Sequence, residues 1–246
     1  MILAINTSTL QFALAILKED GTILAEYLMT ERGGHFGNLM PALQFLLDAS
    51  RCNIHDINGI AVATGPGSFT GLRVGLSVAK GLCHALEAPI IGISSLEALA
   101  SQIPYADIQI GPIIDSRKGE VFTAQFTWGK NRNLIRETED ICLSLKDLSS
   151  LFKQPTIFIG NDFPTQSNFI KKIRNPSALL APACQWNLRA SAVGALGLNR
   201  LDAHDFDNLQ DLNPLYHRPP DIRPKAVREA CTKGNQIGID KKDLRI

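Results

Sequence analysis

Apolar and polar positions fall in three short blocks over the first thirty residues. Ile2 to Ile5 is an apolar run, broken by the polar Asn6-Thr7-Ser8-Thr9. Gln11 to Leu17 resumes it, with Phe12, Leu14 and Ile16 on one face and Ala13, Ala15 and Leu17 on the other, which predicts a strand covered on both sides. The polar Lys18-Glu19-Asp20-Gly21 predicts a hairpin turn, and Thr22 to Met29 a third strand. The period then changes. Phe36, Leu39, Met40, Leu43, Leu46 and Leu47 recur at three and four, the stripe of an amphipathic helix that Pro41 either delays or kinks. Phe45 lies nearly opposite that stripe, a large aromatic turned towards a second surface. A strand over 57–64, a helix from about Thr70 to Leu86, a strand over 88–94 and a helix from Ser95 complete the order β-β-β-α-β-α-β-α.

The same order is predicted again downstream. Strands over 108–116, 120–128 and within 134–144 precede a helix over 145–152 and a strand over 155–160. Helical segments follow after Pro176 and around Arg189 to Leu201. Leading strands and following helices in each half predict an α/β protein of two related lobes, each a mixed sheet flanked by helices. That plan resembles the duplicated, RNase H-like fold of the actin-like ATPases (ASKHA). The first lobe is expected over 1–104, the second over 105–220, and a tail over 221–246, where the periodicity is lost.

Composition narrows the class. Of 246 residues, 45% are hydrophobic and 20% charged, the balance of a soluble domain with a full core. No apolar run approaches the roughly 20 residues that span a bilayer. The start carries neither a basic leader nor a small-residue cleavage site, so mature structure is expected from the first residue. Cys52, Cys83, Cys142, Cys184 and Cys231 are odd in number and widely spaced, which argues against a disulfide scaffold and a zinc knuckle and for a reducing cytoplasm. A formal net charge of +1 lacks the excess of a protein that holds nucleic acid unaided, so a nucleic-acid role is expected to pass through a partner.

The chemistry concentrates in residues 63–80, "ATGPGSFTGLRVGLSVAK". A glycine loop that follows a strand and opens a helix favours an anion, through oriented N–H groups and the helix dipole. Gly65, Gly67 and Ser68, with the hydroxyls of Thr7, Ser8 and Thr9 from the first hairpin, are the candidate donors. Neither the P-loop nor the dinucleotide spacing is met, and Pro66 removes a donor, so a plain tight turn stands beside the anion site as a reading. Along the helix, Arg73, Ser77, Lys80, His84 and Glu87 form a narrow polar strip, and Gly71, Gly75 and Ala79 leave a shallow groove. Either the helix packs between its own sheet and its own neighbour, or part of its apolar arc, with Phe45, belongs to a partner.

Six stretches decide a resemblance: "ILAINTST", "HFGNLMPAL", "TGPGSFTGLRVG", "SSLEALA", "DSRKGEVF" and "PLYHRP". Over about residues 1–220 the chain resembles the TsaB (YeaZ) family of the bacterial tRNA threonylcarbamoyladenosine machinery. The resemblance implies a non-catalytic subunit that pairs with the catalytic paralogue TsaD, works with the ATPase TsaE and meets tRNA only through the complex. It implies pairing through the first two helices, about 35–48 and 70–86. That puts Phe36, Leu39, Met40, Leu43, Phe45, Gly71, Leu72, Arg73, Gly75, Val78, Ala79 and Leu82 in the interface, with a homodimer on the same surface when the chain is alone and no membrane contact. The metal-binding His positions of the paralogue fall on Ser95 and Leu99, and neither serves as a ligand. Asn6 stands where the family commonly has Asp, which removes the carboxylate that would organise Mg²⁺. No metal, no catalytic residue and no tightly bound cofactor are therefore expected, with weak ATP or ADP at a partner interface the remaining option. The alternative, a free-standing ATPase or phosphotransferase of the actin-like superfamily, needs an Asp at position 6. His35, His55, His84, His204 and His217 are scattered, and Asp115 beside Arg117 and Glu120 reads as a structural ion pair.

Overall fold

The computed structural model describes residues 1–29, 36–117, 119–172 and 177–215. The first sheet holds β1 (Ile2–Asn6), β2 (Phe12–Leu17), β3 (Ile23–Met29), β4 (Gly59–Gly65) and β5 (Ile90–Ser94). Their order is β3-β2-β1-β4-β5, with β2 antiparallel to both neighbours and β4 and β5 parallel to β1. The second sheet has β6 (Gln109–Asp115), β7 (Glu120–Thr123), β8 (Phe126–Trp128), β9 (Leu134–Arg136), β10 (Ile141–Ser144), β11 (Thr156–Gly160) and β12 (Ala178–Leu180). Its main path, β10-β7-β6-β11-β12, repeats the first sheet strand for strand and direction for direction. The duplicated two-lobed α/β plan expected from the sequence is the observed one.

One difference lies within the second sheet. The expected strands over 120–128 and 134–144 are each two strands: β7 and β10 carry the repeat, while β8 and β9 pair with each other as an added hairpin. The break falls opposite Pro112, which has no N–H for the ladder. Its carbonyl instead accepts from the Thr123 hydroxyl at 2.7 Å, and the backbone at Gln125 turns away to bond Thr138 and Glu137.

Two helices cover one face of the first sheet: α1 (Leu39–Ser50) over β2 and β3, and α2 (Phe69–Leu86) over β4 and β1. Pro41 sits in the first turn of α1, where no intrahelical bond needs its nitrogen, so the helix starts late and is not kinked. Leu3, Ile5, Leu14, Ile16 and Val62 of the sheet meet Leu39, Leu43 and Leu46 of α1 and Leu76, Ala79 and Cys83 of α2. Burial pushes the Cys83 thiol up from 9.0 to about 12. A thiol kept neutral by folding holds a proton that the unfolded chain releases above about pH 9. Its contribution to stability is therefore complete below that pH and is lost as pH rises towards 12. A thiol reagent near pH 8 is expected to modify the exposed Cys184 and leave Cys83 untouched until the chain unfolds. A Cys83 adduct on native protein, found by peptide mass mapping, would contradict this packing.

The other face of the first sheet is lined by small residues, Ala4, Ala13, Ala15, Ala61 and Ala63. It is covered by α3 (Ser95–Ser101) and by the last described helix, α6 (Ala190–Asp202), while α4 (Leu148–Leu151) and α5 (Phe163–Lys172) belong to the second lobe. The expected division at 104/105 therefore does not hold for the end of the chain. Helix α6 lies on β1, β2 and β4, and the residues beyond it continue along the same lobe. Asp207 N–H donates to the Ile90 carbonyl, Gly92 N–H donates to the Asp207 carboxylate at 2.7 Å, and Leu215 N–H donates to the Thr64 carbonyl at 2.8 Å. The physical cause is small against small: a Cβ added at Gly197 would stand 2.6 Å from the Ala61 Cβ, and one at Gly194 would stand 2.5 Å from Leu17 Cδ1. Only glycines let the helix settle that close to the strands. The tail expected over 221–246 and the side chain of Phe36 lie outside the described residues. Among the described residues no helix is long and apolar enough to cross a membrane.

Candidate functional site

In the first hairpin, Asn6 closes β1 fully buried, with both ends of its amide in use. Its Oδ1 accepts from the Ser8 N–H at 3.0 Å and the Ser8 hydroxyl at 2.8 Å, and its Nδ2 donates to the Leu188 carbonyl at 2.8 Å. A carboxylate here could not make the last of these bonds, so the Asn ties the hairpin to the segment that leads into α6. Thr7 donates its hydroxyl to the Gly71 carbonyl at 2.8 Å, and Thr9 donates to the Gln11 carbonyl at 3.0 Å. All three hydroxyls are buried and bonded internally.

The glycine loop presses directly onto this hairpin. The Gly65–Pro66 peptide is cis. A Cβ at Gly67 would stand 2.0 Å from the Ser8 carbonyl oxygen, and the Ser68 N–H donates to that same oxygen at 2.6 Å. The Ser68 hydroxyl caps α2 by accepting from the Gly71 N–H at 3.3 Å. Gly65 is buried under Leu215 and Leu72. The residues read as candidate anion donors, Thr7, Ser8, Thr9, Gly65, Gly67 and Ser68, are thus brought together, but as a closed contact. The hydroxyls of Thr7, Ser8 and Thr9 and the Ser68 N–H, which would meet a phosphate, are all engaged within the chain, so the tight turn is the reading the geometry favours.

The small-residue groove on α2 has the same explanation. A Cβ at Gly75 would fall 2.1 Å from Thr7 Oγ1. Gly71, Leu72, Gly75 and Ala79 are buried within the lobe, as are Leu39 and Leu43 of α1. The expectation that these six form part of an outward interface is corrected: the backbone approaching the groove is the chain's own first hairpin. The outer surface carries the remainder. Met40 is 51% exposed and Phe45 63% exposed, and Pro41, Phe45 and Ala49 follow one another at four-residue spacing along the outside of α1. On α2, Arg73 is exposed with its guanidinium 3.9 Å over the Phe69 ring, and Val78 and Leu82 are half-buried.

Across the lobes, Gln11 Nε2 donates to the Asn161 carbonyl at 3.3 Å; within the second lobe, Gln166 Nε2 donates to Asp115 at 2.6 Å and to Asn161 Oδ1 at 2.9 Å. Sequence reasoning read Asp115 against Arg117 and Glu120 and missed Asn161 and Gln166; the signal was that Gly160-Asn161-Asp162 ends β11 as Gly65-Pro66-Gly67 ends β4. Ser95 and Leu99 are both fully buried on α3, and Ser95 Oγ has no partner. Among the described residues no three His, Cys, Asp or Glu side chains group as metal ligands. His204 faces the Leu201 carbonyl and the Phe206 ring, while Asp205 and Asp207 pair with Arg200, whose hydrogen bond holds the Asp205 carboxyl below its ordinary range.

Comparison with known proteins places this arrangement. The family model described as TsaD: tRNA N6-adenosine threonylcarbamoyltransferase matches residues 23–164. The tRNA threonylcarbamoyladenosine biosynthesis protein TsaB of Bacillus subtilis (strain 168) is 36% identical over 229 residues, spanning 92% of this chain and 97% of that protein. The chain belongs to the TsaB family. The Escherichia coli K12 protein of the same name is 37% identical over 132 residues, 53% of this chain and 56% of its own length. The solved structure of YeaZ from Pseudomonas aeruginosa superposes with a TM-score of 0.71 at 22% identity, covering 87% of this chain and 98% of that one, which places the fold.

Proposed function

We propose that this chain is a non-catalytic subunit of tRNA threonylcarbamoyladenosine synthesis, which binds and supports a TsaD-type paralogue through the outer faces of α1 and α2. The observation that carries the reading is Phe45, 63% exposed in line with Pro41 and Ala49 on the outside of α1, with Met40 51% exposed on the same helix. A contiguous apolar strip held out by a well-packed helix suits a partner. The interface so defined is Met40, Phe45, Arg73, Val78 and Leu82, smaller than the sequence suggested. The internally bonded hydroxyls of Thr7 and Ser8 and the uncharged Asn6 speak against phosphoryl transfer by this chain alone. Any ATP or ADP would then bind weakly and at the partner interface. The same strip supports a homodimer when the partner is missing, since a self-complementary patch pairs readily about a two-fold axis. TsaE joins through the complex, and the modification of tRNA takes place on that complex, in the cytoplasm.

Light scattering after gel filtration tests this, with the chain alone, with a TsaD-type protein, and with the Phe45→Glu variant. The native chain is expected to form a one-to-one complex. Phe45→Glu is expected to weaken it roughly thirtyfold or more, the loss of an aromatic anchor worth about 2 kcal/mol. Its own melting point should stay unchanged, because the side chain is already in water. No complex with the native chain, or steady ATP hydrolysis by the chain alone, would sink the proposal.

A further inference from the structure

The segment that carries the chain from α3 into β6 meets the β8–β9 turn on the outer side of the second sheet. Tyr105 is 58% exposed there. Trp128 packs against it with ring centroids 5.2 Å apart at 57°, anchored by its Nε1 donating to the Ile103 carbonyl at 2.7 Å. The Arg132 guanidinium lies 5.2 Å from the centre of the Tyr105 ring. Both residues of this pair have left-handed backbones, with φ of 54° at Tyr105 and 59° at Arg132, a region that residues with a Cβ enter at a cost. At Arg132 the turn demands it: the Arg132 N–H closes onto the Gly129 carbonyl at 2.9 Å, and the Gly129 N–H onto the Asn133 carbonyl at 2.8 Å. Hairpins usually place glycine there. Two strained positions thus cooperate to hold an exposed aromatic against a cation, the kind of arrangement that marks function.

Charge and shape continue the patch. Lys130 is exposed at the tip of the turn, and Lys153 is exposed beside Gln154. Trp128 also lines a cavity of about 250 Å³ with Asp107, Gln109, Gln154 and Pro155, enough for one flat ring. Asp107 lines the same cavity, and Glu137 accepts from the Thr127 hydroxyl at 2.6 Å. None of these residues belongs to the pairing face on α1 and α2.

We propose that this patch binds unpaired nucleotides of an RNA strand, with a base stacked on Tyr105 and Trp128 and its flanking phosphates beside Lys130, Arg132 and Lys153. Bases of every kind present a π face, so aromatics among cations hold single strands with little sequence preference. A dry protein contact would use the aromatics but would leave three cations to be desolvated. The kind of RNA rests on the proposed function, which makes a tRNA loop the natural occupant; the geometry does not depend on it. The chain's near-neutral total charge hides a local site that a count over the whole sequence averages away.

Anisotropy of a labelled RNA hairpin with an unpaired loop, titrated with the full chain alone, reads the site directly. A blunt RNA duplex of equal length is the control and is expected to bind more weakly. Loop binding should quench Trp128, while Trp186, buried in the core, supplies constant emission. Tyr105→Ala is expected to weaken hairpin binding roughly tenfold, the usual effect of losing one stacking face. Arg132→Ala and Lys130→Ala should each lower the logarithmic salt slope by about 0.7, one phosphate contact on a single strand. The melting point and the TsaD complex of all three variants should be those of the native chain. Failure of the native chain to bind the hairpin at low salt, or native affinity in Tyr105→Ala, would overturn the site. Loss of TsaD pairing in Tyr105→Ala with RNA affinity intact would overturn it too, and would assign the patch to a protein. A chain that binds RNA through Tyr105 but never pairs with TsaD would keep this site and sink the pairing proposal.

Discussion

Gly75→Ala is expected to unfold about 2–3 kcal/mol more easily than the native chain, even though alanine is the better helix former by about 1 kcal/mol. The new methyl would stand 2.1 Å from Thr7 Oγ1 and 3.2 Å from Thr7 Cβ. Thr7 has no room to turn, since it is fully buried and its hydroxyl is held by the Gly71 carbonyl at 2.8 Å. Overpacking of this kind costs about 1–3 kcal/mol, and a buried hydroxyl forced off its partner costs about 1–3 kcal/mol more. A lower urea midpoint at unchanged slope would register the loss. Native stability would show that Thr7 yields, and that the contact between hairpin and helix is looser than described. An arginine at the same position should prevent folding altogether. The contrast with Phe45 is informative: one variant ought to keep its fold and lose its partner, the other lose its fold.

The Gly197→Val chain should lose about 3 kcal/mol, a fall in melting temperature of roughly 6–12 °C for a domain of this size. The valine Cβ would meet the Ala61 Cβ at 2.6 Å and Ile2 Cδ1 at 3.1 Å, with two further methyls to place. Ala61 and Ile2 sit in central strands that cannot move aside, so α6 must lift. Lifting it uncovers Ala4 and Leu17 and also disturbs Trp186, Leu188 and Phe158, which belong to the same continuous core. Both lobes should therefore melt together, in one transition at a lower temperature. Two separated transitions would mean that the lobes are independent and that α6 is a loose cover.

Much of this architecture is legible in the chain. The alternation over Phe12–Leu17 and the three-four spacing over 36–47 give both strand and helix, because each pattern reports a face that must be covered. What stays illegible is which surface does the covering. Gly71, Gly75 and Ala79 announce a close approach, and the announcement is the same whether the visitor is a partner helix or Thr7, more than sixty residues earlier. The alanines on the second face of β1, β2 and β4 carry the matching signal for Gly194 and Gly197, yet the two halves of that contact lie at opposite ends of the sequence. The break between β7 and β8 is not read from the chain, although Pro112, which withdraws a ladder donor in mid-sheet, carries its signal. Trp128, Tyr105 and Arg132 come together only through a turn whose left-handed residue is an arginine, and no periodicity marks that.

The return of α6 has a consequence for synthesis. Strand β5 is complete at Ser94, but the helix that closes the alanine face begins only at Ala190. At roughly 5–20 residues per second, a nascent chain holds an unsealed sheet outside the ribosome for on the order of ten seconds. During that interval its small-residue face and the β5 edge, which Asp207 later guards, are open to chaperones and to other growing chains. The first half of this protein is thus made first and finished last.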